Sequence, residues 1–339
     1  MKRLCTISFY LAVWILSQRS SDALSQESTV YATVHSTKAY VVGGNNAPTG
    51  LYYQIPSGDT VWKHTGSVNV RSCALAIAPG SKRQLLFMAG GNGVHVTTDG
   101  GNSWKITTGW EITEVLSIVI DPANWKRILC TTPYGIFRSE DGGVQWKACS
   151  AGLTSKFASS LIIDRSNSKL LYCSTEDGVF SSNDNAETWK KTALAVKGIR
   201  CIAQHPTNPE IIAVGTEDDG IYLSADGGKN WNKCENGFEN ATFYTVIFDM
   251  KDPLVMYAGG FETGVYKSKD GGKTWHRSQE GLGSLNIHGI AVDPANTNRI
   301  YAGTLGQGIF RSEDSGNTWK YAGLAGSQVW SINIEPVEP

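Results

Sequence analysis

The sequence predicts an all-β fold, a seven-bladed β-propeller of four-stranded antiparallel blades, and three observations carry that expectation. Trp62, Trp104, Trp146, Trp189, Trp231, Trp275 and Trp319 follow one another at steps of 42, 42, 43, 42, 44 and 44 residues. A period of this length built from short strands marks one blade per repeat. Six of the seven tryptophans close a shared octapeptide, first as Thr97-Thr98-Asp99-Gly100-Gly101-Asn102-Ser103-Trp104 and then at 139–146, 182–189, 224–231, 268–275 and 312–319. The third observation is a fixed alternation of bulky and small residues at the start of every repeat.

The elements follow in order. Residues 1–23 stand outside the repeat: Lys2 and Arg3 precede an apolar run at 4–16, and a polar stretch at 17–23 carries small residues at Ser21 and Ala23. This reads as a secretory signal peptide cleaved after Ala23, because the run is short of the ~20 residues that span a bilayer. Residues 24–339 then form one propeller in a secreted or periplasmic protein. No membrane span is expected after cleavage.

Within a repeat, the last serves as the template: strands at 288–293, 299–304, 308–312 and 318–322, with turns between them. Counting back from its Asp-Pro position, the third residue is Leu75, Ile118, Leu161, Ile202, Val246, Ile290 and Ile332 across the repeats. The fourth is Ala74, Ser117, Ser160, Cys201, Thr245, Gly289 and Ser331. Blades converge at the axis, so both faces of the inner strand are expected to be buried and the crowded one takes only small side chains.

The octapeptide has the residue types of a hairpin. Its aspartates (Asp99, Asp141, Asp184, Asp226, Asp270 and Asp314) accept backbone N–H bonds as Asx-type caps, and the glycine at the fifth position supplies a positive φ. Trp104, Trp146, Trp189, Trp231, Trp275 and Trp319 pack over the hairpin or into the blade interface. Six copies around a ring cannot converge on one substrate, so these residues are structural. Ala186 replaces the glycine in one copy, where Asn183-Asp184-Asn185 are expected to carry the turn instead. The first unit is degenerate, with Ser57 and Asp59 at the Asp and Gly positions. The tail at 328–336 reproduces an inner strand with no repeat after it, so it is expected to complete the first blade and seal the open edge.

Composition excludes some function classes. A net charge of −1 with 18% charged residues gives no nucleic-acid or polybasic membrane surface. Six cysteines follow residue 23, but Cys130 and Cys173 occupy one repeat position in consecutive units, and Cys149 and Cys234 another two blades apart. They read as small buried hydrophobes rather than disulfide partners. Neither Cys-x-x-Cys spacing nor a histidine cluster is present, so no metal and no cofactor is expected.

Ser268-Lys269-Asp270-Gly271-Gly272-Lys273-Thr274-Trp275 resembles the Asp-box, or BNR repeat, without a departure. The resemblance covers nearly all of the chain after residue 23 and implies a propeller, with the boxes at its periphery. Asp-box propellers include sialidases, xyloglucanases, sortilin receptors and photosystem II assembly factors. The last, seven-bladed and single-domain, match this chain best in size and export. Sialidase-like chemistry would need an arginine triad and an Arg-Ile-Pro motif, yet Arg127-Ile128 and Arg299-Ile300 are never followed by proline. Xyloglucanase-like enzymes resemble two propellers joined face to face, and this chain supplies one.

In a propeller, the connections from second to third strand and from blade to blade share the face opposite the Asp-box turns, which is the default ligand platform. The candidate binding residues there are Trp110, Tyr134, Arg200, Asp218, Tyr244, Phe261, His288 and Trp330. Asn45-Asn46, Arg71, Phe157, Phe238, Glu176-Asp177 and Glu217-Asp218-Asp219 lie nearby. Aromatics interleaved with acids suit a glycan or a peptide segment. The resulting expectation is a monomeric, non-catalytic binding or assembly platform for a protein or carbohydrate ligand. The alternative is a glycoside hydrolase or sialidase-like enzyme with an atypical acidic site, which would need two carboxylates about 5–10 Å apart in one cleft.

Overall fold

The computed structural model describes residues 28–37, 49–54, 61–234 and 240–335. The leader expected at 1–23, the degenerate turn at Ser57 and Asp59, and Asn45, Asn46 and Phe238 lie outside the described residues. Seven four-stranded antiparallel sheets make seven blades. Blade 2 is typical, with strands Ser72–Ile77, Leu86–Gly90, Gly93–Thr97 and Lys105–Ile106 in sequence order. Blades 3 to 7 begin with the strands Ser117–Asp121, Ala158–Ile163, Ile199–Gln204, Thr242–Phe248 and Ile287–Val292. These first strands touch one another in turn and form the innermost ring.

The ring closes as the sequence predicts. The C-terminal strand Ser327–Glu335 pairs antiparallel with Thr29–Thr37 and becomes the innermost strand of blade 1, outside which lie Gly50–Gln54 and Lys63–Thr65. The register runs from Thr29 opposite Glu335 to Thr37 opposite Ser327. Side-chain bonds tie this spliced blade to both its neighbours. Ser28 Oγ donates to Asp293 Oδ1 at 2.7 Å, Trp62 Nε1 donates to the Ala322 carbonyl at 2.7 Å, and Thr33 Oγ1 donates to the Cys73 carbonyl at 3.3 Å.

Second strands such as Leu86–Gly90, Leu171–Thr175 and Ile300–Thr304 are buried along their whole length. They have apolar or small residues at every position because a neighbouring blade covers each face. Buried side chains form seven clusters, each straddling two adjacent blades. Phe243, Val246 and Met256 of blade 6, for example, pack on Cys201, Ala213 and Ile221 of blade 5. Stability is therefore built from nearest-neighbour interfaces around a closed ring.

The inner strands correct one expectation. The bulky positions from Leu75 to Ile332 are buried, but of the small ones only Cys201 and Gly289 are. Ala74, Ser117, Ser160, Thr245 and Ser331 are half-buried, because this side borders the axis, where the strands crowd without filling the space between them.

Each Asp-box is a closed hydrogen-bonded turn. The first hydroxyl, from Thr97, Ser139, Ser182, Ser224, Ser268 or Ser312, donates to the aspartate at 2.7–2.9 Å. It accepts the backbone N–H four residues on at 2.8–2.9 Å. The aspartate in turn accepts the N–H four residues beyond itself at 2.8–2.9 Å. That residue's side chain is the main cause holding Asp99, Asp184, Asp226 and Asp270 down at about 2, and its backbone N–H is the main cause at Asp314, also about 2, and at Asp141. In the copy lacking glycine the turn is not carried elsewhere: Asn185 and Ala186 themselves adopt φ of 66° and 63°.

The tryptophans differ in the carbonyl they reach, and Trp104 also donates across the interface to Thr65 Oγ1 at 3.2 Å. Trp104, Trp146, Trp231 and Trp275 donate to the carbonyl of their own box glycine at 3.0–3.1 Å. Trp189 and Trp319 reach across the interface to the carbonyls of Cys149 (2.7 Å) and Ser278 (2.9 Å). Cys73, Cys130, Cys149, Cys173, Cys201 and Cys234 are buried free thiols, and burial pushes those of Cys73, Cys149 and Cys201 up to about 12. Arg127 and Arg299, the two Arg-Ile positions, serve the scaffold. Buried Arg127 pairs with Asp121 at 2.9 Å and donates to the Ser168 carbonyl of blade 4 at 2.6 Å, and Arg299 pairs with Glu313 at 3.1 Å.

Candidate functional site

One feature of the inner strands builds the site. In five of the blades that begin with an inner strand, the ladder skips a residue near the start of that strand, and the extra residue is Cys73, Ser159, Arg200, Tyr244 or His288. In the spliced blade it is Trp330, and the partner strand skips His35 two positions later. A bulge leaves its residue out of the ladder and re-aims the side chain. Arranged around a ring, the bulges other than that of buried Cys73 aim side chains from different blades at one place, the axial mouth.

Leu116, Ser159, Arg200, Tyr244, His288 and Trp330 there line a cleft of about 270 Å³, with Phe157 from a blade-to-blade connection and Glu217 and Leu305 from second-to-third-strand connections. Its wall is a stack of four rings from three blades. Tyr244 lies 4.8 Å from His288 at 20°, His288 lies 3.8 Å from Trp330 at 31°, and Trp330 lies 4.4 Å from His35 at 25°. His288 Nδ1 is 2.9 Å from the Trp330 carbonyl, to which it donates. Burial pushes His288 down to about 4, and burial followed by the nearby Arg71 charge lowers His35. Both imidazoles are therefore neutral at pH 7, which removes charge repulsion from the stack.

Opposite the stack, the Arg200 guanidinium lies 5.9 Å over the Phe157 ring. It pairs with Glu176 at 2.8 Å and also with Glu217. Burial works against its charge, but the two carboxylates outweigh that cost and hold the guanidinium protonated.

The structure brings together four of the eight sequence candidates, Arg200, Tyr244, His288 and Trp330, and leaves the other four outside the cleft. Trp110 is 90% exposed in the connection between blades 2 and 3. Tyr134 and Phe261 are exposed on hairpins of blades 3 and 6. Asp218 accepts the Thr242 hydroxyl at 2.9 Å. The triplet 217–219 points three ways: Glu217 to Arg200, Asp218 to Thr242, and Asp219 to the Tyr222 hydroxyl at 2.8 Å and to Lys233. Among the described residues, no three His, Cys, Asp or Glu side chains lie where they could hold a metal ion.

His35, Leu116, Ser159 and Leu305 were not singled out from sequence, although two of them, Leu116 and Ser159, share a legible signal with those that were. The fifth residue back from the Asp-Pro position reads Cys73, Leu116, Ser159, Arg200, Tyr244, His288 and Trp330. The third and fourth positions keep one chemistry in every repeat because every blade needs them. The fifth differs in every repeat, as expected where the side chain leaves the shared scaffold for a single shared space.

Fold and site together define a closed propeller with repeated capping turns at its rim and an aromatic cleft at one end of its axis. The BNR/Asp-box repeat model matches residues 266–277, and a model described as sortilin, neurotensin receptor 3 (Sortilin-Vps10) matches residues 134–259. The chain is a seven-bladed Asp-box propeller. Comparison with curated proteins finds no match. Among solved structures, the GH74 xyloglucanase from Xanthomonas campestris is similar at TM-score 0.69 and 15% identity over 88% of this chain and 53% of that one. The GH74 enzyme of Niastella koreensis is similar at TM-score 0.60 and 21% identity, over 76% of this chain and 45% of that one. The chain thus spans about half the length of these GH74 enzymes. A structure of YCF48 bound to D1 peptide is similar at TM-score 0.59 and 14% identity, over 79% of this chain and 93% of that one. At these identities the likeness is one of fold.

Proposed function

We propose that the protein is an exported, non-catalytic binding platform that acts as a single copy and receives its ligand at the axial cleft. The observation that carries this reading is the bulge ring: five bulged inner-strand residues of differing chemistry, with Leu116 beside them, line one aromatic cleft on a closed scaffold. Closure fixes these side chains before binding, so little ordering entropy is lost when a ligand enters. The similar fold of YCF48, whose structure carries a D1 peptide, supports a protein ligand.

A second reading has its own support. Glu176 and Glu217 both approach Arg200, and GH74 enzymes share the fold. A hydrolase would need one of these carboxyls free to donate a proton, whereas both are engaged by the same guanidinium. The two readings separate by incubating the purified protein with fluorogenic glycosides and sialosides, beside a Glu176→Gln/Glu217→Gln variant, and by probing a glycan array. The platform reading expects no turnover by either protein. Turnover that the variant loses would replace it with acid–base chemistry at this face.

A further inference from the structure

The face around the axial cleft is charged unevenly. The second-to-third-strand connections of blades 4, 5 and 6 hold six carboxylates, Glu176, Asp177, Glu217, Asp218, Asp219 and Glu262, and no such connection in blades 2 to 7 holds a lysine or arginine. Three cations answer them: Arg200 on Glu176 and Glu217, Lys197 at 3.6 Å from Asp177, and Lys233 on Asp219. Glu217, Asp218 and Glu262 are exposed, so the excess negative charge stands at the surface beside the cleft. The chain as a whole is nearly neutral, which makes this a local field rather than a general one.

The cleft beside these acids has the opposite character. His288 and Trp330 are each stacked on both sides, so they offer ring edges rather than faces. With Leu116, Phe157 and Leu305 they leave a slot suited to an apolar side chain. Arg200 shows how a cation sits at its border, over an aromatic ring and between two carboxylates.

We propose that this face docks a basic segment of a partner protein, with one bulky apolar side chain entering the axial cleft and flanking lysines or arginines meeting the acidic hairpins of blades 4 to 6. The proposal rests on the binding-platform reading and adds the chemistry of the partner. Complementary charge speeds encounter and rejects acidic competitors, while the buried apolar side chain supplies the anchor.

Three fluorescein-labelled peptides test it by anisotropy with the full chain: Lys-Arg-Trp-Arg-Lys, Ser-Gln-Trp-Gln-Ser and Glu-Asp-Trp-Asp-Glu. The basic peptide is expected to bind at least about tenfold more tightly than the neutral one, and the acidic one not at all. The advantage should shrink between roughly 0.05 M and 0.3 M salt as screening shortens. Glu217→Gln/Asp218→Asn/Glu262→Gln should remove most of the advantage. Leu305→Trp or Leu116→Trp, each narrowing the cleft, should weaken binding of the basic peptide, and unchanged melting curves identify which variants are folded.

Equal binding of basic and neutral peptides at both salts, or no binding of any of the three, overturns the proposal. Glycan binding that Leu305→Trp abolishes, with none of the peptides showing a charge preference, also overturns it but leaves the platform reading intact. Glycoside turnover overturns the platform reading itself.

Discussion

Gly289 stands where blade 7 meets the closing strand, next to the ring stack, and its replacement by alanine reports on both. A Cβ there would lie 3.0 Å from Ser331 Cα, 3.2 Å from Ile332 N and 3.2 Å from the Trp330 carbonyl oxygen. All three are backbone atoms of the strand that completes blade 1. Unstrained carbon contacts lie at about 3.5–4.0 Å, so the two strands must part by roughly half an ångström along an interface that has no flexible side chain to yield. Overpacking of this kind costs about 1–3 kcal/mol. The backbone at Gly289 is not left-handed, so the loss comes from packing alone. The same displacement should disturb the bond from His288 to the Trp330 carbonyl and with it the cleft wall. Gly91→Ala is the control on the same face, because its Cβ meets only Arg71 Cβ at 3.7 Å; it should fall within about 0.5 kcal/mol of the parent. Urea unfolding with matched m-values measures both. Gly289→Ala as stable as Gly91→Ala would refute the argument that the ring is closed by backbone contact at this seam.

Other consequences are as direct. Trp319→Ala should cost about 3–5 kcal/mol, because the ring is 3% exposed and bonded across to Ser278. Trp231→Ala should cost less, since that ring is half-buried and bonded within its own turn; melting temperatures rank the two. Acid should weaken the fold in two stages. His288 is held neutral down to about 4, so the unfolded chain takes up a proton first and stability falls as pH drops from about 6.5 to 4. The Asp-box carboxylates held at about 2 contribute stability above the ordinary carboxylate range, and it is lost as pH falls from about 4 to 2. Unfolding midpoints against pH should show both steps, with His288→Phe diminishing the first; a curve flat from pH 6.5 to 4 would count against the buried neutral imidazole. Cys73, Cys130, Cys149, Cys173, Cys201 and Cys234 should resist a thiol reagent at pH 8 in the folded protein and all react in denaturant. Fewer than six labelled sites in denaturant, mapped by mass spectrometry without prior reduction, would reveal a disulfide.

The sequence by itself determined the number of blades, the chemistry of the rim turns and the closure by the C-terminal tail, because each rests on a local demand repeated in every unit. A hairpin needs its Asp, its hydroxyl and a residue that accepts positive φ, and an inner strand needs one bulky and one small side chain wherever it occurs. Even Ala186 could not relocate its turn, since the bonds from Ser182 and Asp184 hold it in the common geometry. Only the tertiary structure decided which side chains form a site. Whether the ladder skips His288 or pairs it depends on the register with the next strand, and the stack of Tyr244, His288, Trp330 and His35 joins residues from positions 35 to 330 that meet only once the ring is closed. Arg200 could be named from sequence as a residue near the mouth, but its capture by Glu176 and Glu217 needed the spacing of two neighbouring blades. Repetition makes the scaffold legible in one blade, whereas a site on the axis is a sum over several blades and exists in none of them separately.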